Sequence, residues 1–243
     1  MHRHASAHGH ANFTLRAASS YTAQATGPFI RRLLTERQRK FLASLATRVV
    51  LSPKQVVYRE GGTAGSIYIC ADGALKAFRE LPSGKRRISA FIFADDLFGL
   101  AENGQYLNTV QAIDAVACYR FQVESLTSVL RQDAELEFQF LCKITHELRE
   151  SQRRAILLGR RLAAGRIAMF LSTLDRVEPE RVDKNLIPIP MSRSDIADFL
   201  GLTLESVSRA AAKLERLGIM KFETRHLATI VDSGKLATLA AAV

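Results

Sequence analysis

The sequence predicts an α+β fold made of an antiparallel β-domain, a long helix and a small C-terminal domain of two helices and two strands. Three observations predict these parts in turn: short β-rich runs between turn residues, a heptad repeat of apolar residues, and a closely spaced helix pair. We place the three parts at residues 28–130, 131–162 and 163–243, after a flexible tail over residues 1–27.

The amino-acid composition is typical of a globular, basic protein. The chain has 243 residues, of which 47% are apolar, enough for a substantial core, and it has a formal net charge of +10. This excess favours a polyanionic partner such as nucleic acid. No apolar run approaches the roughly 20 residues of a membrane span. Cys70, Cys118 and Cys142 lie far apart, so we expect no disulfide framework, no metal site and a reducing, cytoplasmic setting.

The N-terminal 27 residues differ from the rest of the chain. They are rich in Ala, Ser and His, and the first acidic residue is Glu36. An organelle transit peptide is one interpretation, but the tail contains only two arginines and no clear amphipathic repeat. Its four histidines could bind a metal ion. We favour a disordered tail.

The β-domain is predicted from six β-rich runs, which are QVVY, SIYI, ALKAF, RRISAFIF, NTVQAI and VACYRF. Turn residues such as Asp72-Gly73 and Asn103-Gly104 separate them, a pattern typical of an antiparallel barrel. A metal-dependent catalytic barrel would need histidine ligands, and residues 50–130 contain none. The chain also lacks nucleophile-elbow, zinc-protease and phosphate-loop motifs, so we expect no enzyme.

The long helix carries apolar or small residues in steps of three and four. These residues are Leu141, Ile144, Leu148, Ser151, Ala155 and Leu158. Such a seam could pack on the β-domain of its own chain. Because it runs for about three heptads between two domains, it favours pairing with a second copy, which predicts a homodimer.

The helix pair lies in SRSDIADFLGLTLESVSRAAAKL. Ser192 and Asp195 match a capping box, which marks the start of the first helix. Ala197 leaves room for a crossing helix, Gly201 suits a turn with positive φ, and Val207 packs inward from the second helix. Two short β-rich runs follow directly. The pattern predicts a winged helix-turn-helix.

Three polar side chains share one face near the start of the second helix. Glu205, Ser208 and Arg209 stand at i, i+3 and i+4, in the part of a helix-turn-helix that enters the major groove. A guanidinium can donate twice to guanine, and a carboxylate can accept from cytosine N4. The helix dipole alone would explain Glu205, whereas the three together predict base reading of a DNA operator. Phosphate contacts are expected from the polar residues nearby, Arg193, Thr203, Ser206, Lys213 and Arg225.

The set Glu205-x-x-Ser208-Arg209 within GLTLESVSR resembles the recognition helix of the CRP/FNR superfamily of bacterial transcription regulators. The barrel residues Gly61-Gly62 and Gly73 resemble that family's cyclic-nucleotide-binding-like β-roll, and LLGRRLAAGRIAMFL resembles its FixK and FNR branch. The resemblance implies a dimeric activator on an inverted repeat of TTGA-type half-sites.

The same resemblance implies roles for individual residues. Arg209 would read the guanine, Glu205 would face the pyrimidine partner side, and Ser208 would lie close to a thymine. It also implies that the turn over residues 81–89 and a patch near the hinge contact RNA polymerase.

Members of the family that bind cyclic AMP hold it with Glu and an Arg-Ser pair. Here Leu100 stands at the Glu position, and Tyr106 and Leu107 stand at the Arg-Ser positions, so a buried phosphate would be unpaired. Cluster-binding members use four thiolates, and residues 1–69 contain no cysteine. We therefore expect no cofactor. The alternative is a member whose β-roll responds to another small molecule or to redox chemistry.

Overall fold

The computed structural model describes residues 35–101, 103–159, 162–177 and 183–241, so the predicted tail lies outside the described residues. The strands are β1 (Thr47–Leu51), β2 (Val56–Tyr58), β3 (Ser66–Asp72), β4 (Leu75–Glu80), β5 (Arg86–Ile92), β6 (Leu97–Phe98), β7 (Thr109–Ala112), β8 (Val116–Gln122), β9 (Leu186–Pro188), β10 (Met220–Thr224) and β11 (Leu227–Ile230). The helices are α1 (Glu36–Leu45), α2 (Val123–Leu130), α3 (Ala134–Gly159), α4 (Ala163–Val177), α5 (Arg193–Leu200), α6 (Leu204–Arg216) and α7 (Ser233–Ala241).

Strands β1 to β8 form a β-roll of two antiparallel sheets, with strand orders β1-β8-β3-β6 and β2-β7-β4-β5. Apolar side chains from both sheets fill the space between them, and Leu75, Val110 and Cys118 are fully buried there. Short strands that alternate inward and outward side chains need this arrangement to bury their apolar faces. The predicted antiparallel β-domain is therefore confirmed.

One turn of the roll has room only for glycine. Gly73 has a φ of +83°, and a Cβ placed there would lie 2.4 Å from the carbonyl oxygen of Ala115. A side chain would be excluded by both the backbone conformation and this contact. The predicted turn at Asp72-Gly73 thus brings two chain segments close together.

Strands β1 and β6 and helices α2 and α7 were not predicted from the sequence. Strand β1 pairs with β8 over its whole length, from Thr47 opposite Arg120 to Leu51 opposite Val116. Only Leu51 of β1 is buried, so the strand carries little apolar periodicity of its own. It forms because the edge of β8 offers hydrogen-bonding partners that are distant in sequence.

The C-terminal domain builds its core from α4, α5, α6 and the small sheet β10-β11-β9. Leu171, Leu200 and Leu214, one from each helix, are almost completely buried together. The same core continues into the β-roll through Phe78 and Phe91, which lie on β4 and β5. The two domains are therefore joined by a continuous apolar contact.

Candidate DNA-binding interface

The turn between α5 and α6 is tight because Gly201 closes α5 in the left-handed conformation. Gly201 has φ +62°, and its N–H donates to the carbonyl of Ala197. The N–H of Leu202 donates to the same carbonyl at 3.0 Å. Glycine adopts this conformation without strain, which explains the residue at this point. The positive φ predicted for Gly201 is confirmed.

Helix α6 begins with a side-chain cap. The hydroxyl of Thr203 accepts a hydrogen bond from the N–H of Ser206 at 3.2 Å. This satisfies one of the N–H groups that the first turn of a helix leaves without a partner. The remaining N–H groups give this end a positive potential, which suits an approach to the phosphates of a duplex.

Two faces of α6 have opposite character. Val207, Ala210 and Leu214 are buried in the domain core. Glu205 and Arg209 are exposed on another face, and Ser208 beside them is half-buried. The apolar stripe fixes the rotation of the helix, so the polar set must face outward. The structure thus brings the three predicted base-reading side chains together on the open side of the domain.

The exposed face carries both a negative and a positive group. The N–H of Glu205 itself and the Thr203 hydroxyl lower the pKa of the Glu205 carboxyl below its ordinary value, so it is ionised at neutral pH. Arg209 donates through Nη2 to the Ser206 hydroxyl at 3.3 Å. Arg193 of α5 reaches across to the Ser208 hydroxyl at 3.5 Å. A carboxylate acceptor and a guanidinium donor are thus available for base edges.

The side chains predicted to contact phosphates fall into two groups. Arg193 at the start of α5, Lys213 in the last turn of α6 and Arg225 in the turn between β10 and β11 are exposed. Thr203 and Ser206 instead form the cap of α6, and their hydroxyl groups bond each other at 3.1 Å. In the structure these two hydroxyl groups therefore cap the start of α6.

The predicted capping box at α5 is only half formed. The hydroxyl of Ser192 accepts from the N–H of Asp195 at 3.1 Å, as expected. The Asp195 carboxylate, however, accepts from the Ser192 hydroxyl at 2.8 Å and from Lys76 of the β-roll at 2.8 Å. An aspartate is one carbon shorter than the Glu or Gln of a full box, and here it turns toward the other domain.

The two strands after α6 form the predicted wing. Met220 of β10 pairs with Ile230 of β11, and Ala228 of β11 pairs with Ile187 of β9. The hairpin turn at Arg225 and His226 is exposed, and the His226 ring lies 3.1 Å from the Ile189 carbonyl. This contact ties the wing to the segment that leads into α5.

Comparisons with known proteins match both halves of this architecture. Residues 165–239 match the Crp-like helix-turn-helix domain, and residues 48–133 match the cyclic nucleotide-binding domain. The nitrogen fixation regulation protein FixK of Bradyrhizobium diazoefficiens is 32% identical over 206 residues, which cover 82% of this chain and 84% of that protein. The transcriptional activatory protein AadR of Rhodopseudomonas palustris is 34% identical over 173 residues, covering 71% of this chain and 72% of the relative.

The solved structure of FixK2 from Bradyrhizobium japonicum has the same architecture, with a TM-score of 0.75 and 30% identity over 82% of this chain and 98% of that one. The chain belongs to the CRP/FNR family of transcription regulators. Within this family it is FixK-like, a DNA-binding regulator and not an enzyme. Among the residues described, no helix combines the length and the hydrophobicity that crossing a membrane requires.

In this CRP/FNR protein, the residues at the positions that would hold cyclic AMP do not form a phosphate site. Tyr106 is buried, stacks on Tyr58 with ring centroids 3.7 Å apart, and donates its hydroxyl to the Ser66 carbonyl at 2.9 Å. Desolvation raises the pKa of Tyr106 to about 12, so it stays neutral. Leu100 and Leu107 are exposed at the edge of a cavity of about 410 Å³ between the β-roll and α3.

The lining of this cavity includes a buried lysine between two carboxylates. Lys143 of α3 lies 2.7 Å from Glu147 and 3.4 Å from Asp96. Burial raises the pKa of Asp96 to about 6, although the charge of Lys143 partly opposes the shift. Asp95 has φ +70°, and the N–H of Asp96 donates to the Phe93 carbonyl at 3.1 Å, so the chain makes a turn at Asp95 and Asp96.

The seam predicted for dimerisation lies on α3, which has 26 residues. Leu141, Ile144 and Leu148 are 41–57% exposed, and Ser151 and Ala155 are exposed as well. Leu158 differs, because it is half-buried against the core that contains α4. The apolar surface also includes side chains outside the predicted set, Phe138, Ile156 and Leu162.

The β4–β5 hairpin, which includes the turn predicted to contact RNA polymerase, divides into two parts. Residues 81–85 are exposed at the tip of the hairpin. Ile88 is buried in the core of the C-terminal domain, and Arg86 forms ion pairs with Asp195 and Asp198 of α5. Sequence reasoning missed these interdomain pairs. The sequence did contain one signal of an interdomain pair. Lys76 lies within the apolar run ALKAF, and a buried lysine needs a partner, which here is Asp195.

Proposed function

We propose that the protein is a homodimeric transcription activator that binds an inverted repeat of TTGA-type half-sites. The observation that supports this most directly is the outward presentation of Glu205, Ser208 and Arg209 on the capped helix α6. Arg209 donates to the guanine of the half-site. Glu205 accepts on the side of the pyrimidine that pairs with this guanine, and Ser208 lies close to a thymine.

The dimer follows from the apolar surface of α3. Leu141 and Leu148 are 55% and 57% exposed one heptad apart, and leaving both in water is unfavourable. Pairing two copies of α3 buries them and presents two α6 helices to successive major grooves. A twofold protein therefore reads an inverted repeat.

The protein acts in the cytoplasm, where its exposed basic residues hold the duplex backbone and the hairpin tip at residues 81–85 contacts RNA polymerase. The names of two relatives support activation: FnrA of Stutzerimonas stutzeri, 30% identical, is a transcriptional activator protein, and AadR is a transcriptional activatory protein. An exposed tip beyond the interdomain contact suits a partner that joins after the duplex is bound.

In this proposal, the protein binds DNA without cyclic AMP and without an iron–sulfur cluster. The Tyr106 side chain occupies the core and bonds the Ser66 carbonyl, so it cannot neutralise a phosphodiester. The chain has three cysteines, fewer than the four thiolates of a cluster. Cys70 and Cys118 are fully buried inside the roll, where they pack as small apolar side chains.

Selection of bound sites from random duplexes tests the function. We expect TTGA-type half-sites in inverted orientation, with one spacing strongly enriched. Enrichment of a single half-site, or of no sequence at all, would contradict the proposal. A run-off transcription assay on the selected site then separates activation from repression.

A second candidate function keeps DNA binding but makes it respond to a small molecule. The cavity of about 410 Å³ between the β-roll and α3 supports it, because Leu100 and Leu107 at its edge leave access from solvent. Titrating a metabolite set against the purified protein, with operator affinity as the readout, distinguishes the two. The hydrogen bond with Cys118 and burial raise the pKa of the Cys70 thiol, which disfavours redox control through Cys70.

A further inference from the structure

The DNA-binding domain is held against the β-roll by a buried network of opposite charges. Lys76 of β4 lies 2.8 Å from Asp195 of α5, and these two side chains are only 11% and 8% exposed. Arg86 of β5 lies 2.6 Å from the same Asp195 oxygen and 2.9 Å from Asp198. Two cations of one domain therefore hold two carboxylates of the other, at the first helix of the helix-turn-helix.

The opposite end of α5 also faces cations. The guanidinium of Arg166 donates to the Leu200 carbonyl at 2.9 Å and to the Gly201 carbonyl at 3.4 Å. A Cβ placed on Gly201 would lie 3.3 Å from Nη1 of Arg87, so a second β5 guanidinium approaches this end. The last carbonyls of a helix carry partial negative charge and favour such neighbours. The Arg166 bonds lie within the C-terminal domain, whereas Arg87 adds a cation of the β-roll at this end of α5.

Aromatic contacts complete this interdomain surface. Phe91 of β5 lies 4.9 Å from Phe199 of α5 and 5.9 Å from Phe170 of α4, between ring centroids. Apolar burial provides attraction without direction. Buried ion pairs contribute little net stability, but each partner must meet its counterpart, so they favour one geometry over others. The aromatic residues therefore hold the domains together, and the charges set their orientation.

The Asp195 carboxylate lies within hydrogen-bonding distance of Lys76, Arg86 and the Ser192 hydroxyl. Burial alone would raise the pKa of Asp195, but hydrogen bonds from Lys76 and Ser192 lower it below its ordinary value. Arg86 also lies over the Phe78 ring, 5.5 Å from its centroid, which restricts the guanidinium further.

We propose that Lys76 and Arg86 are positioning residues for DNA recognition: by holding Asp195 and Asp198 they fix the orientation of the helix-turn-helix on the β-roll, and so fix the separation of the two recognition helices in the dimer. The inference rests on the proposed binding to an inverted repeat. An apolar interface without fixed contacts would let the domains shift relative to each other, and ordering them on DNA would then reduce affinity. Because the network orders the two domains in the free protein, no free energy is lost in ordering them when the protein binds DNA.

The test uses the full-length protein and the selected operator, with Lys76→Met, Asp195→Asn and the double variant. We expect each single variant to bind about tenfold more weakly, and the double variant to bind no more weakly than the worse single one. Arg79→Met is the matched control. Arg79 lies on the same strand, and its ion pair with Glu60, at 2.6 Å, stays within the β-roll.

Operators with the two half-sites moved apart by one or two base pairs give a readout that a loss of stability would not change. The wild type should discriminate strongly between spacings, whereas Lys76→Met should discriminate several-fold less, because its recognition helices are free to adjust. Arg86→Met, at a site that is 30% exposed, repeats the test if Lys76→Met does not fold.

The positioning role would be overturned if Lys76→Met and Arg86→Met both kept the wild-type discrimination between spacings, or if either variant bound the operator more tightly. A wild type that prefers no inverted repeat would overturn the proposed function as well. If the wild type does show this preference and Lys76→Met behaves like Arg79→Met, only the present inference fails.

Discussion

At the scale of single residues, Arg209 should determine the base preference at one position of each half-site. Its guanidinium is exposed and contacts only the Ser206 hydroxyl, at 3.3 Å, among the hydrogen bonds described for it, so it is available to a base. Arg209→Ala should reduce discrimination for guanine by about 1–3 kcal/mol, roughly 5- to 160-fold. Competition binding with operators changed at that base measures the loss.

Arg216→Ala is the control for Arg209→Ala. Arg216 is an exposed arginine in the last turn of the same helix, three turns away from its start. It should leave the base preference unchanged. If Arg209→Ala kept the wild-type preference, the role assigned to α6 would be wrong.

Asp96 should make stability depend on pH in a direction opposite to that of a typical salt bridge. Its pKa rises from 3.8 to about 6 in the folded protein, because burial and Glu147 outweigh Lys143. Between these values the folded chain binds more protons than the unfolded chain, so the free energy of unfolding falls as pH rises from about 4 to about 6.

Asp96→Asn should remove this part of the pH dependence, as measured by urea unfolding at several pH values. Asp72→Asn changes the same chemical group at the exposed end of β3 and should keep the fall in stability that Asp96 causes. An Asp96→Asn profile that matches the wild type would show that Asp96 does not titrate in this range.

The same scale shows what sequence reasoning can and cannot find. The buried Val207 and the exposed Glu205 and Arg209 follow from a period of 3.6 within one helix, which is local information. Lys76 and Asp195 are separated by 119 positions and meet only after two domains pack. No local pattern contains such a pair, although a lysine inside an apolar strand indicates that a partner exists.

At the scale of elements, the exposed stripe of α3 should control assembly. Leu148 is 57% exposed and lies one turn from Ile144, which is 41% exposed. Leu148→Asp places two carboxylates in the apolar seam of a dimer, and burying them should weaken dimerisation by about 100-fold or more. Analytical ultracentrifugation should then detect monomers, with a matching loss of operator affinity.

Arg149→Gln is the control for Leu148→Asp. It also lowers the net charge of the chain by one, but at a position beside the seam, so it should leave the dimer intact. Leu158 is not a suitable position for this test. Its half-buried side chain packs on the core of its own chain, so a change there would also reduce folding stability. A stable dimer with Leu148→Asp would mean that the α3 stripe serves another contact.

Elements with strong periodicity of their own were predicted well, whereas those that depend on neighbours were not. Helix α6, the second helix predicted from the helix-turn-helix segment, is present over Leu204–Arg216. Strands β1 and β6 escaped detection because β1 exposes most of its side chains and β6 has two residues. Both exist because the sheet β1-β8-β3-β6 provides backbone partners.

At the scale of the whole molecule, we expect the net charge of +10 to act on a duplex through a few exposed cations near α6. Composition indicates a polyanionic partner, but it cannot say which cations touch it. The structure leaves Arg193, Lys213 and Arg225 exposed around the recognition helix, whereas Thr203 and Ser206 are engaged in its cap. We therefore expect the cations to supply most of the salt-dependent affinity.

Lys213→Ala should weaken binding to specific and non-specific duplexes alike. Removing one cation from a phosphate lowers the slope of log affinity against log salt by about 1, so a dimer should show a slope lower by about 2. Lys235→Ala is the matched control, because Lys235 lies exposed on α7 of the same domain and pairs with Asp232, just before this helix, at 3.2 Å. Fluorescence anisotropy across a salt series measures both slopes. A change in base preference with an unchanged slope would place Lys213 at a base edge, and equal slopes in both variants would place it away from the duplex.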